Sequence, residues 1–235
     1  MTVAAVILAA DLAAALADAD GPPRVRREAD AAWAGGASPV IVVADDPEGS
    51  VSAALTGTPS ILAERGGGSE GRSLAGGAAS FVRGLEVARS TVVETAAALV
   101  WPVEMAWVDP ETVTSLIEAH GGDREALLRP AYGGQPGWPV LVPLPYLEAI
   151  RAVAADRAPE DVVADLVAGG APFRLVELGD PGTVIDGSTA RGALPDYQGP
   201  PRPPDGHVHE WGAAIADAPE DAGPPPRRVA FREPG

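Results

Sequence analysis

The chain has no cysteine, no lysine and no asparagine among its 235 residues. Without cysteine there are no disulfides and no thiolate metal sites, and the redox compartment stays open. Without lysine, all 17 basic residues are arginine, so chemistry that needs an ammonium group at a phosphate is closed to this chain. Positive charge is scarce in general, because 33 acidic residues set the formal net charge at −16. That balance excludes general affinity for nucleic acid or for anionic membrane surfaces, both of which attract basic patches. It leaves room for one small anion held by a few local arginines. No apolar run reaches the roughly 18 to 20 residues of a membrane span. The Ala- and Leu-rich start has no basic lead-in and is broken by Asp11, which points away from a signal peptide and toward a cytoplasmic protein.

Glycine and proline are plentiful, at 28 and 25 residues, so loops and an irregular segment are expected. Between them, short apolar stretches alternate with helical patterns. Residues 3–9 read as a strand buried on both faces. Asp11 reads as the cap of an Ala-rich helix that Gly21-Pro22-Pro23 ends. A helix near 26–34, strands at 39–43 and 60–63, and an amphipathic helix over 78–88 follow. The glycine-rich stretch over 66–77 cannot hold regular structure unaided. Residues 97–103 read as another buried strand. Asp109-Pro110-Glu111 combines a capping Asp, a Pro at the first helical position and an acid at the positive end of the dipole, so a helix runs from there to about His120. Strands at 127–132 and 139–142 flank a Gly-Gly-Gln-Pro-Gly segment. Helical patterns at 146–155 and 159–167 and a strand at 173–178 complete the order.

Strands alternating with helices predict an α/β fold: a three-layer α/β/α sandwich around a Rossmann-like, mainly parallel sheet. The pattern places this domain over residues 1–198 and leaves 199–235 as a Pro- and Gly-rich, irregular tail. His207 and His209 in the tail have the chemistry of metal ligands but no third partner nearby. Ligands of such sheets sit beyond the carboxyl ends of the strands. Ala10, Asp11, the segment around Glu104 and the turn after Leu178 therefore share one rim. Trp101, Trp107 and Trp138 fall near it, either as flat platforms for a ring or as core packing.

Three segments carry a resemblance. Ala98-Leu99-Val100-Trp101-Pro102-Val103-Glu104-Met105, running into Val108-Asp109-Pro110-Glu111-Thr112-Val113, is similar to a strand ending in Pro-Val-Asp-Met-Pro before a Pro-Glu-Thr helix start. Tyr132-Gly133-Gly134-Gln135-Pro136-Gly137-Trp138-Pro139 resembles a Tyr-Gly-Gly…Gly-His-Pro hairpin. Gly179-Asp180-Pro181-Gly182-Thr183-Val184-Ile185-Asp186 resembles a late strand leading into Asp-x-Asp-Thr-Pro. These are motifs of the MobA-like nucleotidyltransferases, the molybdenum-cofactor cytidylyl- and guanylyltransferases among them. The resemblance spans about residues 3–197 and implies the nucleotide-diphospho-sugar transferase-like fold.

The resemblance further implies Mg²⁺-dependent transfer of a nucleotidyl group from CTP or GTP to a phosphorylated small-molecule acceptor. It assigns Ala9, Ala10 and Ser80 to the nucleotide, and Gly133, Gly134 and Trp138 to the acceptor side. Glu104 and Asp186 take the metal positions, and Arg24 takes the place of the catalytic lysine. The departures from the family pattern are concentrated on the phosphate and metal side. The family's first strand delivers a Gly-x-Gly-x-Arg-x-Gly loop and then Pro-Lys, whose amides and ammonium cradle phosphates. Here Asp11 follows Ala10, no glycine comes before Gly21, and Gly21-Pro22-Pro23-Arg24 stands where Gly-x-Pro-Lys belongs. A carboxylate repels phosphate by about 1 kcal/mol at ~4 Å in water, and by more in a cleft. Glu104 replaces an Asp at a Mg²⁺ position that tolerates displacement poorly, Ser188 replaces a second acid, and Trp138 replaces the hairpin His. The alternative expectation is thus a catalytically inactive member, a ligand-binding or scaffold protein in cofactor maturation, with the tail as a docking segment for a protein partner.

Overall fold

The apolar run at the N-terminus becomes the centre of the sheet. A computed structural model describes residues 2–17, 21–64 and 77–200. In it, β1 (Thr2–Leu8), β2 (Val40–Ala44), β3 (Ser60–Glu64), β4 (Thr95–Pro102), β5 (Leu127–Tyr132), β6 (Gln135–Pro136), β7 (Val140–Pro143) and β8 (Phe173–Glu177) share one sheet. The order is β3-β2-β1-β4-β7-β5-β6, with β8 paired to β5. All pairings of β1 to β4 are parallel, as is β5 with β8, whereas β7 and β6 run antiparallel to their neighbours. The mainly parallel α/β sheet expected from the alternation of elements is present.

The helices are α1 (Leu12–Leu16), α2 (Arg24–Ala34), α3 (Ser50–Ala54), α4 (Ala78–Thr91), α5 (Pro110–Gly122), α6 (Leu147–Arg151) and α7 (Pro159–Ala168). Alternate residues of β1 point to opposite faces, as the strand period requires. Val3, Ala5 and Ile7 pack with Val25, Ala29 and Ala32 of α2 and Val113 and Leu116 of α5. Ala4, Val6 and Leu8 pack with Phe81 and Leu85 of α4, Ile150 of α6 and Val163 of α7. Both faces of the central strand are therefore covered, which is why it carries no polar side chain after Thr2.

Local expectations fail where a side chain or carbonyl from elsewhere takes over a helix end. The first helix stops at Leu16, and the Ala17 carbonyl instead accepts the N–H of Arg24. α3 was not expected from the acidic turn. The Asp46 carboxylate accepts the amides of Val51 and Ser52 and so starts a short helix. The helix expected over 146–155 shortens to a 3₁₀ turn at Leu144–Tyr146 followed by α6. The chain beyond α6 is drawn out because the Ala155 and Arg157 carbonyls accept the amides of Ala79 and Ala78 at the start of α4. The glycine-rich expectation over 66–76 and the tail from 201, including His207 and His209, lie outside the described residues. Among those residues no helix is long and apolar enough to cross a membrane.

One buried base gives this fold a pH dependence. His120 of α5 is 1% exposed, and neither ring nitrogen has a hydrogen-bond partner among the described residues. Burial, and then the Arg124 guanidinium, hold its pKa below the ordinary 6.5. The unfolded chain therefore binds a proton that the folded one resists, so folding stability falls as pH drops through about 6.5 and levels off below the folded pKa. His120→Phe is expected to flatten that slope in urea titrations run between pH 5 and pH 8. An unchanged slope would assign it to other groups.

Candidate functional site

β1 and β4 lie in register, with Leu8 opposite Pro102. Ala10 and Glu104, each two residues further on, therefore emerge side by side at the carboxyl end of the sheet. They line an open cleft of about 280 Å³ together with Leu8, Pro102, Trp138 and Glu160. Trp138 is fixed from behind: its N–H donates to the Thr183 carbonyl at 2.8 Å. The preceding Gly137 is pressed so closely on Thr183 that a Cβ would lie 2.3 Å from that carbonyl oxygen. Arg129 stands beside the tryptophan, its Cζ 5.4 Å from the ring centroid. Its Nε donates to the Gly137 carbonyl, and its two terminal nitrogens donate to Glu160 at 2.6 and 2.9 Å. The charge of Arg129 is thus matched within the protein.

The other two tryptophans lie away from this cleft. Trp101 is fully buried, with its Nε1 donating to the Met105 carbonyl. Trp107 donates to the Thr189 carbonyl and lies under the Arg27 guanidinium at 4.5 Å. Trp138 alone of the three lines the cleft between Ala10 and Glu104.

On the nucleotide side, Ala9 is buried and its N–H donates to the Val43 carbonyl. The amides at the start of α1, where the family's loop would meet phosphate, are already bonded. The Asp11 carboxylate accepts from Ala13 at 2.9 Å and from Ala14 at 3.2 Å. Ser80 sits in the first turn of α4, 1% exposed, its hydroxyl without a partner among the described residues. The amides of the two residues just before it, Ala78 and Ala79, go to the Arg157 and Ala155 carbonyls, as above. The acceptor-side glycines show the same pattern. Gly133 and Gly134 have φ of 57° and 79°, the paired positive angles of a type I′ hairpin turn, and both amides donate to the Glu177 carboxylate at 2.8 and 3.0 Å.

On the metal side, Asp186 is engaged by the N–H and hydroxyl of Ser188. Those bonds, with help from the Arg24 charge, hold its carboxyl below the ordinary range. The next residue, Gly187, donates its N–H to the Glu104 carbonyl at 2.6 Å, which straps this turn to the rim. Arg24, in the first turn of α2, lays its side chain across Gly187. The structure thus brings Arg24, Glu104 and Asp186 to one place. Gly133 and Gly134 are held separately, in the hairpin turn.

It also brings in a residue that sequence reasoning passed over. Glu28 is fully buried on α2, with neither carboxyl oxygen hydrogen-bonded among the described residues. Burial raises its pKa well above the ordinary value, the Glu104 charge adds to that, and Arg24 opposes it. The signal was present: Val25, Glu28, Ala29 and Ala32 form the i, i+3, i+4, i+7 stripe of the buried helix face, and one member of it is an acid.

Glu104 and Asp186 do not by themselves make up a metal site held by protein side chains alone. Among the described residues, no three acidic or histidine side chains converge in a way that could hold one. The Asp186 carboxylate already accepts from Ser188, and the Arg24 side chain lies against the following Gly187.

The sequence model of the MobA-like NTP transferase domain matches residues 5–170. No curated protein matches the chain in sequence. Solved structures share the fold. The 2-C-methyl-D-erythritol 4-phosphate cytidylyltransferase from Thermus thermophilus is 20% identical, with 79% of this chain and 92% of that one covered and a TM-score of 0.55. A manganese complex of a Mycobacterium tuberculosis protein is 17% identical, with 76% and 89% covered and a TM-score of 0.55. A CMP:2-keto-3-deoxy-manno-octonic acid synthetase in complex with CTP is 16% identical, with 76% and 90% covered and a TM-score of 0.53.

Proposed function

Because this chain belongs to the MobA-like NTP transferase family, we propose that it is a member that holds a small ligand in the Trp138 cleft and does not transfer a nucleotidyl group. One observation carries this reading: the Asp11 carboxylate is bonded to the amides at the start of α1. Nucleotidyl transfer stabilises charge on phosphoryl oxygens with preorganised donors, and here those donors already hold an anion that belongs to the protein. No lysine is available to replace them.

The cleft itself suits a ring. It offers the indole of Trp138, the apolar edges of Leu8 and Pro102, and the carboxylate of Glu104 as an acceptor, Glu160 being engaged by Arg129. Such a lining favours a neutral or cationic group over a phosphate. The ligand class is accordingly an unphosphorylated nucleoside or the ring portion of an acceptor. A link to the molybdenum cofactor rests on the resemblance of the hairpin and of the late strand, and the tail beyond 200 would be the docking segment if the protein serves a maturation partner.

The second reading is an active transferase, favoured by the cleft that keeps Ala10 and Glu104 together at the ends of β1 and β4. It would use CTP or GTP and a phosphorylated acceptor, with Arg24 in the lysine's role. The two are separated by incubating the full chain with each of the four common nucleoside triphosphates and Mg²⁺ or Mn²⁺. We expect no pyrophosphate release above the protein-free blank, and calorimetry should show no tighter binding of a triphosphate than of its nucleoside. Release that vanishes in Glu104→Ala would establish the transferase instead.

A further inference from the structure

Among the described residues, the charged side chains that line the Trp138 cleft are Glu104 and Glu160, both acidic. A cation stands directly against one of them. The Arg129 side chain is 12% exposed and lies 5.4 Å from the Trp138 ring centroid. Its Nε donates to the Gly137 carbonyl at 2.8 Å, which leaves its terminal nitrogens as the fork that meets a ligand or a partner. That fork is filled by Glu160: each terminal nitrogen donates to a different carboxylate oxygen, at 2.6 and 2.9 Å. The same two-toothed geometry is how a guanidinium holds a phosphate or a carboxylate of a ligand. Glu160 itself is 55% exposed. The pair is therefore a largely buried cation capped by an acid on the cleft wall. Glu160 also sits in the first turn of α7, where the positive end of the helix dipole favours an anion at the same place.

We infer that Glu160 is a specificity-determining residue of this cleft: its carboxylate occupies the anion position on Arg129 and so withholds that guanidinium from a ligand. The inference rests on the ligand-holding reading above and deepens it, since it gives the reason the cleft takes an uncharged ring and refuses a phosphorylated one. An incoming phosphate meets carboxylates on the wall, and it reaches Arg129 only by displacing an ion pair already formed at hydrogen-bond distance. Once Glu160 is neutralised, the guanidinium stays largely buried without its counter-charge, which is costly, and a free anion restores the missing partner. Glu104 remains and still repels an anion, so the change produced by Glu160 is read against a constant background.

The test is calorimetric titration of the full-length protein with orthophosphate and, separately, with the four common nucleosides. Glu160→Ala frees the guanidinium and is expected to bind orthophosphate at least about tenfold more tightly than the unaltered chain. Glu160→Gln removes the charge but keeps an acceptor, so it should give a smaller gain in the same direction, and it carries the test if Glu160→Ala does not fold. Adding Arg129→Gln should cancel the gain. If that pair of changes does not fold, Trp138 locates the anion: the fluorescence change of Glu160→Ala on adding orthophosphate should be absent once Trp138→Phe is added. Orthophosphate binding by the unaltered chain as tight as that of Glu160→Ala would overturn the inference, as would a gain that survives Arg129→Gln. A phosphate gain in a protein that binds no nucleoside would overturn the functional reading and leave this one standing. Nucleoside binding by the unaltered chain, with no phosphate gain in either Glu160 variant, would do the reverse.

Discussion

Replacing Asp180 by alanine is expected to lower the unfolding free energy by about 3–5 kcal/mol, since it strands several buried donors at once. The Asp180 side chain is 2% exposed. One oxygen accepts the Asp109 amide at 2.9 Å and the Thr112 hydroxyl at 2.7 Å, and the other accepts the Gly182 amide at 2.8 Å. The carboxylate thereby joins the turn after β8 to the start of α5, two segments with no covalent reason to meet. Burial outweighs the donors and leaves its pKa raised, so the geometry of the bonds is the better guide to its worth. Each donor left without a partner in the interior costs roughly 1–3 kcal/mol. The turn has little room to shift, because Gly182 is already packed on the Trp107 carbonyl, 2.2 Å from where a Cβ would stand. Asp180→Asn keeps the shape and one acceptor, so it should lose about half as much. Urea denaturation of the three proteins reads these differences directly, and a loss below about 1 kcal/mol for alanine would mean the donors find other partners.

Gly84→Val is expected to abolish stable folding, and Gly84→Ala to cost about 1–3 kcal/mol by overpacking, although alanine gains up to about 1 kcal/mol in helix propensity over glycine. α4 crosses the sheet at this glycine. A Cβ at 84 would lie 2.1 Å from Val6 Cγ1 and 3.2 Å from Val6 Cβ and Cγ2. Val6 is fully buried in β1 and flanked by strands on both sides, in register with Ile41 and Val100, so it cannot retreat within the sheet. The helix would have to lift, which would part Phe81 and Leu85 from the core. Val6→Ala removes the colliding atoms, and in the Gly84→Ala background it should be far less damaging than alone. The resulting coupling, measured as a double-mutant cycle by thermal melts, distinguishes this contact from a general weakening of α4. Additive losses would show that α4 settles elsewhere.

How much of this molecule could be read from the chain depends on the range of the forces involved. β1, β2 and β4 were visible as apolar runs because a strand covered on both faces must be apolar at nearly every position, which is a local requirement. α5 was visible because Asp109, Pro110 and Glu111 act on the backbone within one turn. Asp11 was legible as a cap for the same reason. Its second consequence, that its carboxylate holds the amides a phosphate would need, followed from the family resemblance once the bond was seen. The shortening of the helix after Tyr146 was not legible, because the carbonyls of Ala155 and Arg157 are claimed by α4, more than seventy residues away in sequence.

The candidate site divides in the same way. Residue types and order determined the α/β class, the shared rim for Ala10 and Glu104, and the family to which the chain belongs. They also determined that no lysine serves a phosphate. Only the tertiary structure decided what each charge does there. It laid Arg24 over Gly187, buried Glu28 on the inner face of α2, gave Asp186 to Ser188 and Glu177 to the Gly133–Gly134 turn, and left Trp138 facing the cleft. The physical reason is that secondary structure follows from periodicity and caps within a few residues. The partner of a carboxylate or a guanidinium is whichever group the packing of distant elements brings within about 3 Å.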